Sequence, residues 1–250
     1  MFIHNRLGMV ESVETLIAQQ QRLNQVSNNL ANADTAGYKK ESVTFDEMLY
    51  NVTRNRQRVG KALNILTNHG QGVTVQTGNP LDLVIEGDGF FQVLMPDGTV
   101  AYSRAGAFKM DSDGRIVNSD GYPMEPAITI PANALTTTIG SDGKVTVLQA
   151  GSTTPAEIGQ IEIAKFMNPG GLQALGKNLY LPTASSGDAT TGTPGVDGLG
   201  TIEQGYVEMS NVNVVEEMVN MIVTQRAYEI TSKTVQASDE MLQTTNNMKR

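Results

Sequence analysis

Both ends of this chain carry a helical stripe of apolar residues that its own helix cannot cover. Near the N-terminus Met9, Leu16, Leu23 and Leu30 recur every seven residues, with Val13, Gln20 and Ser27 between them. That is the spacing of one seam on a helix packed lengthwise against others. Near the C-terminus Val223, Ala227, Ile230, Thr234, Ala237, Met241, Thr244 and Met248 step by four and three in a similar rhythm. Each stripe needs a partner surface, and a chain that keeps such helices for its two ends is built to make something larger than itself.

The first helix is expected over residues 9–32, about 36 Å long. It stops at Asp34-Thr35-Ala36-Gly37, where Gly37 can take the left-handed conformation that ends a helix. The last helix is expected over residues 212–248, about 55 Å long, with Ser210 or Asn211 as its cap. The acids Glu208, Glu216 and Glu217 at its start and Lys249-Arg250 at its end suit the helix dipole. Asn24, Asn28, Asn29 and Asn32 lie within the first stripe. Asn is a mediocre helix former, so several in one helix cost stability unless they bond something, and a buried amide can fix register between partners.

Between the helices the period changes to two. Leu81, Leu83 and Ile85 alternate with Asp82, Val84 and Glu86, and Ile128 with Ile130, Val145 with Val147 and Ile161 with Ile163 repeat the pattern. These read as half-buried strands. Asp88-Gly89, Asp97-Gly98, Asp113-Gly114, Asp120-Gly121 and Asp142-Gly143 supply the positive φ angles of tight turns. The expected fold class is α+β: a mainly-β central domain of short antiparallel hairpins, with the N- and C-terminal helices pairing into a coiled-coil-like layer. The expected boundaries are residues 1–36 for the first helix, 37–80 for a connecting arm, 81–204 for the β domain and 205–250 for the last helix. Within the arm, Phe45, Met48, Leu49 and Val52 hint at a helical turn, and Arg54, Arg56, Arg58 and Lys61 form a basic run. That run is either a solvated face or an arm laid across acidic surfaces of neighbouring copies. Residues 183–200, rich in Ser, Gly, Thr and Ala, read as a long surface loop.

Composition excludes several function classes. With 26 acids against 18 bases the formal charge is −8, whereas a nucleic-acid binder needs a basic face. No apolar run is long enough to cross a membrane, so no direct membrane insertion is expected. The first residues, Met1 to Arg6, lack the basic start and apolar core of a secretory signal. There is no cysteine, which rules out disulfides and thiolate chemistry. The two histidines, His4 and His69, stand in no pattern with carboxylates and are expected as surface or loop residues. Asp111-Ser112-Asp113-Gly114 opens like a calcium loop, but Tyr122 stands where the bidentate Glu belongs, so a hairpin turn explains it better. No catalytic residue, cofactor site or metal site is expected.

The segment Ser27-Asn28-Asn29-Leu30-Ala31-Asn32-Ala33-Asp34-Thr35-Ala36-Gly37-Tyr38-Lys39 resembles the N-terminal signature of the bacterial flagellar basal-body rod and hook family, S-x-N-L-A-N-x-x-T-x-G-[FY]-K. Gly205 to Val219 with Gln225-Arg226-Ala227-Tyr228-Glu229 resembles that family's closing helix. Gly87-Asp88-Gly89-Phe90-Phe91, Pro96-Asp97-Gly98 and Tyr102-Ser103-Arg104 resemble its central domain. Residues 127–134 and 166–180 are most similar to the distal rod member, while the shortness of the stretch between Tyr50 and Leu81 keeps the proximal rod member open.

The resemblance implies a structural subunit whose terminal helices line a tube around an export channel, with the β domain outside. Many copies would stack helically into a torque-transmitting shaft across the periplasm. It implies export from the cytoplasm through the flagellar type III apparatus without a cleaved signal peptide. The implied partners are copies of itself, other rod and hook proteins and the export apparatus. The residues expected at subunit contacts are Leu16, Leu23, Leu30, Val215, Val219, Ile222, Ile230 and Met241, with Asn28, Asn29 and Asn32 as amide contacts between copies. The competing reading is a secreted, oligomeric β domain that binds a surface ligand through loops such as 183–200.

Overall fold

The computed structural model describes the backbone of residues 2–52, 56–152 and 154–247, and the side chains of residues 13–44, 65–152, 154–241, 243, 244 and 247. It is mainly β with one long helix at each end, so the expected α+β class holds. The N-terminal helix α1 spans Phe2–Ala31 and the C-terminal helix α2 spans Val214–Asn247. The chain divides into two units by contact. The first comprises residues 1–32, 41–68 and 212–250, and the second residues 33–40 and 69–211.

In the first unit α1 and α2 pack against each other. Asn29, near the end of α1, bonds Glu217 near the start of α2, while Gln19 bonds Thr231 further along, so the helices run antiparallel. The cap of α2 is Asn213, not Ser210 or Asn211: its Oδ1 accepts the N–H groups of Val215 and Glu216 at 3.1 and 3.2 Å. The described residues of 41–67 contain no helical turn. They form two strands, β1 (Glu41–Val52) and β2 (Arg56–Thr67), paired antiparallel from Glu41↔Thr67 to Val52↔Arg56. The spacing of Phe45, Met48 and Leu49 suggested a helix because no clean alternation marks these strands. Arg54 lies outside the described residues.

The second unit is built on a six-stranded antiparallel sheet. Its order is Gln173–Gly176, Leu179–Leu181, Val100–Ser103, Phe90–Leu94, Ile163–Lys165 and Thr190–Gly192. Neighbours in space are not always neighbours in sequence, so this is not the simple succession of hairpins that the turn signals suggested. Period two decides which face each residue buries. Phe91, Ala101, Ile163 and Leu179 join one large apolar cluster, while Phe90, Tyr102, Ala164 and Tyr180, one residue away in each strand, join a smaller cluster on the opposite face. The four central strands are therefore buried on both faces, including the one carrying Ile163 that was expected to be half-buried, while the edge strands Gln173–Gly176 and Thr190–Gly192 are largely exposed.

A three-stranded sheet of Ala134–Ile139, Lys144–Gln149 and Ala156–Gln160 adds Ile139, Val145 and Val147 to the large cluster. The glycines of all five Asp-Gly pairs have positive φ, from 79° at Gly114 to 151° at Gly89. Asp111 is the turn residue expected there: its Oδ1 accepts the N–H groups of Asp113 and Arg115.

Residues 183–200 are not a free loop. Thr190–Gly192 pairs with Ile163–Lys165, Ser186 is buried with its hydroxyl donating to the Thr183 carbonyl, and Leu199 belongs to the large cluster. Low hydrophobicity hid this order because the segment contributes mainly backbone bonds and turn hydroxyls.

Candidate functional site

Two sites stand out, one in each unit. In the first unit the helix pair is built with its polar residues inward. Glu217 and Thr224 of α2 are buried, and Thr231 and Ser238, continuing at intervals of seven, are half-buried. Thr224, Thr231 and Ser238 return their hydroxyl protons to carbonyls one turn earlier, on Asn220, Ala227 and Thr234. Facing them, α1 buries Gln25, Val26 and Asn29. The apolar residues of α2 lie outward: Val215 is 70% exposed, Val219 54%, Ile222 59%, Ile230 66% and Met241 65%. On α1, Leu16, Leu23 and Leu30 are half-buried and Val13 and Ile17 exposed. The side chains of Met9 and Met248 lie outside the described residues.

The amides of the N-terminal signature divide by role. Asn29 is buried, and its Nδ2 donates to the Glu41 carbonyl at 2.8 Å and to Glu217 Oε2 at 3.1 Å, while its Oδ1 accepts the Glu41 N–H at 3.1 Å. One side chain thus joins the end of α1, the start of β1 and the first turn of α2. Asn29, expected as a contact between copies, uses both amide protons within its own chain. Gln25 supports it by donating to Glu41 Oε2 at 2.7 Å. Asn32 donates to the Asn28 carbonyl of its own helix, and Asn24 accepts from Gln20. Asn28 is exposed.

In the second unit, the end of the same signature is seated by a buried charge cluster. Lys39 Nζ donates to Glu208 Oε1 at 2.5 Å and to the Gly70 carbonyl at 2.8 Å. The Gly72 N–H donates to the same Oε1 at 2.7 Å, and Arg104 Nη1 lies 3.6 Å from Glu208 Oε2. Both side chains of the Lys39–Glu208 pair are almost wholly buried, at 0% and 1% exposure. Arg104 also donates to the carbonyls of Ile85 and Gly87, at 3.1 and 2.6 Å, and its guanidinium sits over the Phe90 ring. Burial pulls the pKa of Lys39 and of Arg104 downward, and Glu208 opposes both shifts. Glu208, read from sequence as serving the helix dipole, sits instead on the strand Tyr206–Glu208 as the counter-ion of two cations.

Backbone geometry completes the seat. Gly37 has φ +72°, and its N–H donates to the Glu208 carbonyl at 2.7 Å. A Cβ there would stand 2.4 Å from Ala105 Cα. The left-handed glycine read as a helix terminator lies beyond the end of α1 and serves this close approach. Asn211, read as a possible cap, instead accepts the Lys40 N–H and donates to the Gly70 carbonyl. His69 lies in a loop, one of the two places expected for it, but is half-buried there, its ring edge-on to Phe90 and Tyr180 at centroid distances of 5.4 and 5.0 Å. The side chain of His4 lies outside the described residues. Sequence reasoning missed this cluster because Lys39 and Glu208 are far apart in the chain, and the only local signal is a charge flanked by strand residues.

Among the described residues no group of metal-binding side chains gathers and no helix is long and apolar enough to cross a membrane. A groove of about 380 Å³ lined by Pro80, Leu81, Met110, Ile130, Pro131 and Leu135 contains no titratable side chain.

Comparison with known proteins agrees with the signature. Residues 12–39 match the family model described as flagella basal body rod protein, residues 84–147 the flagellar hook protein FlgE/F/G D1 domain, and residues 203–248 the flagellar basal body rod FlgEFG protein C-terminal region. The flagellar basal-body rod protein FlgG of Buchnera aphidicola subsp. Schizaphis graminum is 44% identical over 91% of this chain and 94% of its own length. FlgG of Borreliella burgdorferi is 44% identical over 94% and 96%. The flagellar basal-body rod protein FlgF of Mesorhizobium japonicum is 30% identical over 91% and 93%.

Proposed function

Because the chain belongs to the flagellar basal-body rod protein family and within it resembles the distal rod proteins, we propose that its copies polymerise helically through their terminal helices into a stiff, torque-transmitting shaft. The protein is a structural subunit of the flagellar basal-body rod. The observation that carries the polymerisation reading is the outward apolar face of α2, where Val215, Val219, Ile222, Ile230 and Met241 are all more than half exposed. Monomers rarely leave so long an apolar stripe in water. Neighbouring copies cover it with Leu16, Leu23 and Leu30 of α1, forming a coiled-coil-like layer around the export channel, with Asn28 and Asn32 beside the seam. The contact is heterologous, one patch meeting a different patch, so it propagates and does not close into a dimer.

The remaining partners follow from the same reading. Other rod and hook proteins continue the shaft at its ends, the flagellar export apparatus delivers the chain, and the assembled rod crosses the periplasm. The basic run of Arg54, Arg56, Arg58 and Lys61 carries charge complementary to acidic surfaces of neighbouring copies. Charge supports this, since the second unit holds 16 acidic against 8 basic residues.

Replacing Ile222 or Leu23 by Asp tests the mechanism. Purified variants should melt within about 1 kcal/mol of the parent, as half-buried and exposed sites do. They should also fail to elongate when rod assembly is followed by electron microscopy and motility. Normal rods and swimming in both variants would refute the packing model.

A further inference from the structure

We propose that His69, together with Lys39, Arg104 and Glu208, forms an acid-operated latch that seats residues 37–40 and 70–72 on the strand Tyr206–Glu208. The geometry is that of a crowded interior with one anion for two cations. Glu208 faces Lys39 and Arg104, at 2.5 and 3.6 Å. The imidazole is wedged against Phe90 and Tyr180, and Arg104 stacks on that same Phe90 ring. Asp88 adds a distant attraction that acts on Arg104. Neither ring nitrogen of His69 has a hydrogen-bond partner among the described residues. The Pro169 backbone lies close enough to favour the protonated ring, by less than burial, Lys39 and Arg104 disfavour it, but no hydrogen bond of regular geometry forms there. A proton on His69 would therefore place a third positive charge beside Lys39 and Arg104, in an aromatic wall, with no carboxylate of its own.

The direction follows from which state holds the proton better. Desolvation first, then Lys39 and Arg104, depress the folded ring from 6.5 to about 4. The opened state therefore binds the proton more readily, and the latch holds fully above pH 6.5 and weakens as pH falls toward 4. If opening frees the ring completely, the opening equilibrium at pH 5 rises about thirtyfold over that at pH 8. This is a property of the single chain and does not depend on assembly.

The Gly37 and Gly72 amides report the latch, because both donate to Glu208, one to its carbonyl and one to its carboxylate. Hydrogen exchange of the full chain, corrected for intrinsic rates, should show these two amides losing protection by about ten- to thirtyfold between pH 8 and pH 5. The Ile161 amide, bonded to the Gly143 carbonyl, should not change in that comparison. His69→Phe, which keeps an aromatic ring between Phe90 and Tyr180, should abolish the loss. Persistence of the loss in that variant would overturn the latch. An independent readout is the NMR titration of the His69 ring in the unmutated chain: a midpoint below 5 supports the proposal, and one above 6 overturns it.

Discussion

Lys39→Met removes the cation that closes the Glu208 seat and keeps most of the side-chain volume. Its cost can be worked from the contacts. Truncating one member of a buried ion pair costs about 3–5 kcal/mol, because the other charge stays buried without compensation. Here Glu208 keeps the Gly72 N–H at 2.7 Å and Arg104 at 3.6 Å, which sets the value near the lower end. Loss of the bond to the Gly70 carbonyl adds about 1 kcal/mol. The sum is about 3–4 kcal/mol, which for a unit of this size lowers Tm by roughly 10 °C. Circular dichroism melts and urea titrations at pH 7.5 measure it. The double variant Lys39→Met/Glu208→Gln should recover at least half of the loss, since no uncompensated carboxylate remains and Arg104 retains the Ile85 and Gly87 carbonyls. A single variant costing less than about 1 kcal/mol, or a double variant worse than the single, would refute the view that this pair holds the signature in place.

Gly37→Ala should destabilise the second unit by at least about 2 kcal/mol in urea titration, combining a left-handed φ with a Cβ driven into the backbone of Ala105. Asn29→Ala should cost about 3 kcal/mol, because it removes two hydrogen bonds to the Glu41 backbone and one to the buried Glu217 carboxylate. Hydrogen exchange at the Glu41 amide, which should lose most of its protection, checks that assignment.

The polar interior of the helix pair shows how far periodicity reaches. Residues 217, 224, 231 and 238 keep a heptad as regular as that of Leu16, Leu23 and Leu30, but they are Glu, Thr, Thr and Ser. Apolar spacing reveals the outer stripe but not the contact between the two helices of one chain. The inner one is stabilised by amide and hydroxyl bonds such as Gln19 to Thr231 and Asn29 to Glu217, which leave no hydrophobic trace. The hairpin of β1 and β2 escaped for a related reason: its residues alternate too poorly to announce strands, and its ladder is a matter of backbone bonds.

The sequence alone determined the helices at both ends, the switch to period two near Pro80, the turns at the Asp-Gly pairs and the family signature from Ser27 to Lys39. Each rests on local spacing or on backbone demands carried by a few adjacent residues. Only the tertiary structure decided that Asn29 works within its own chain, that α2 turns its apolar face outward, and that Lys39 ends beside Glu208, His69 and Arg104. The reason is that burial and charge pairing are set by which distant segments meet, and no local pattern encodes that meeting.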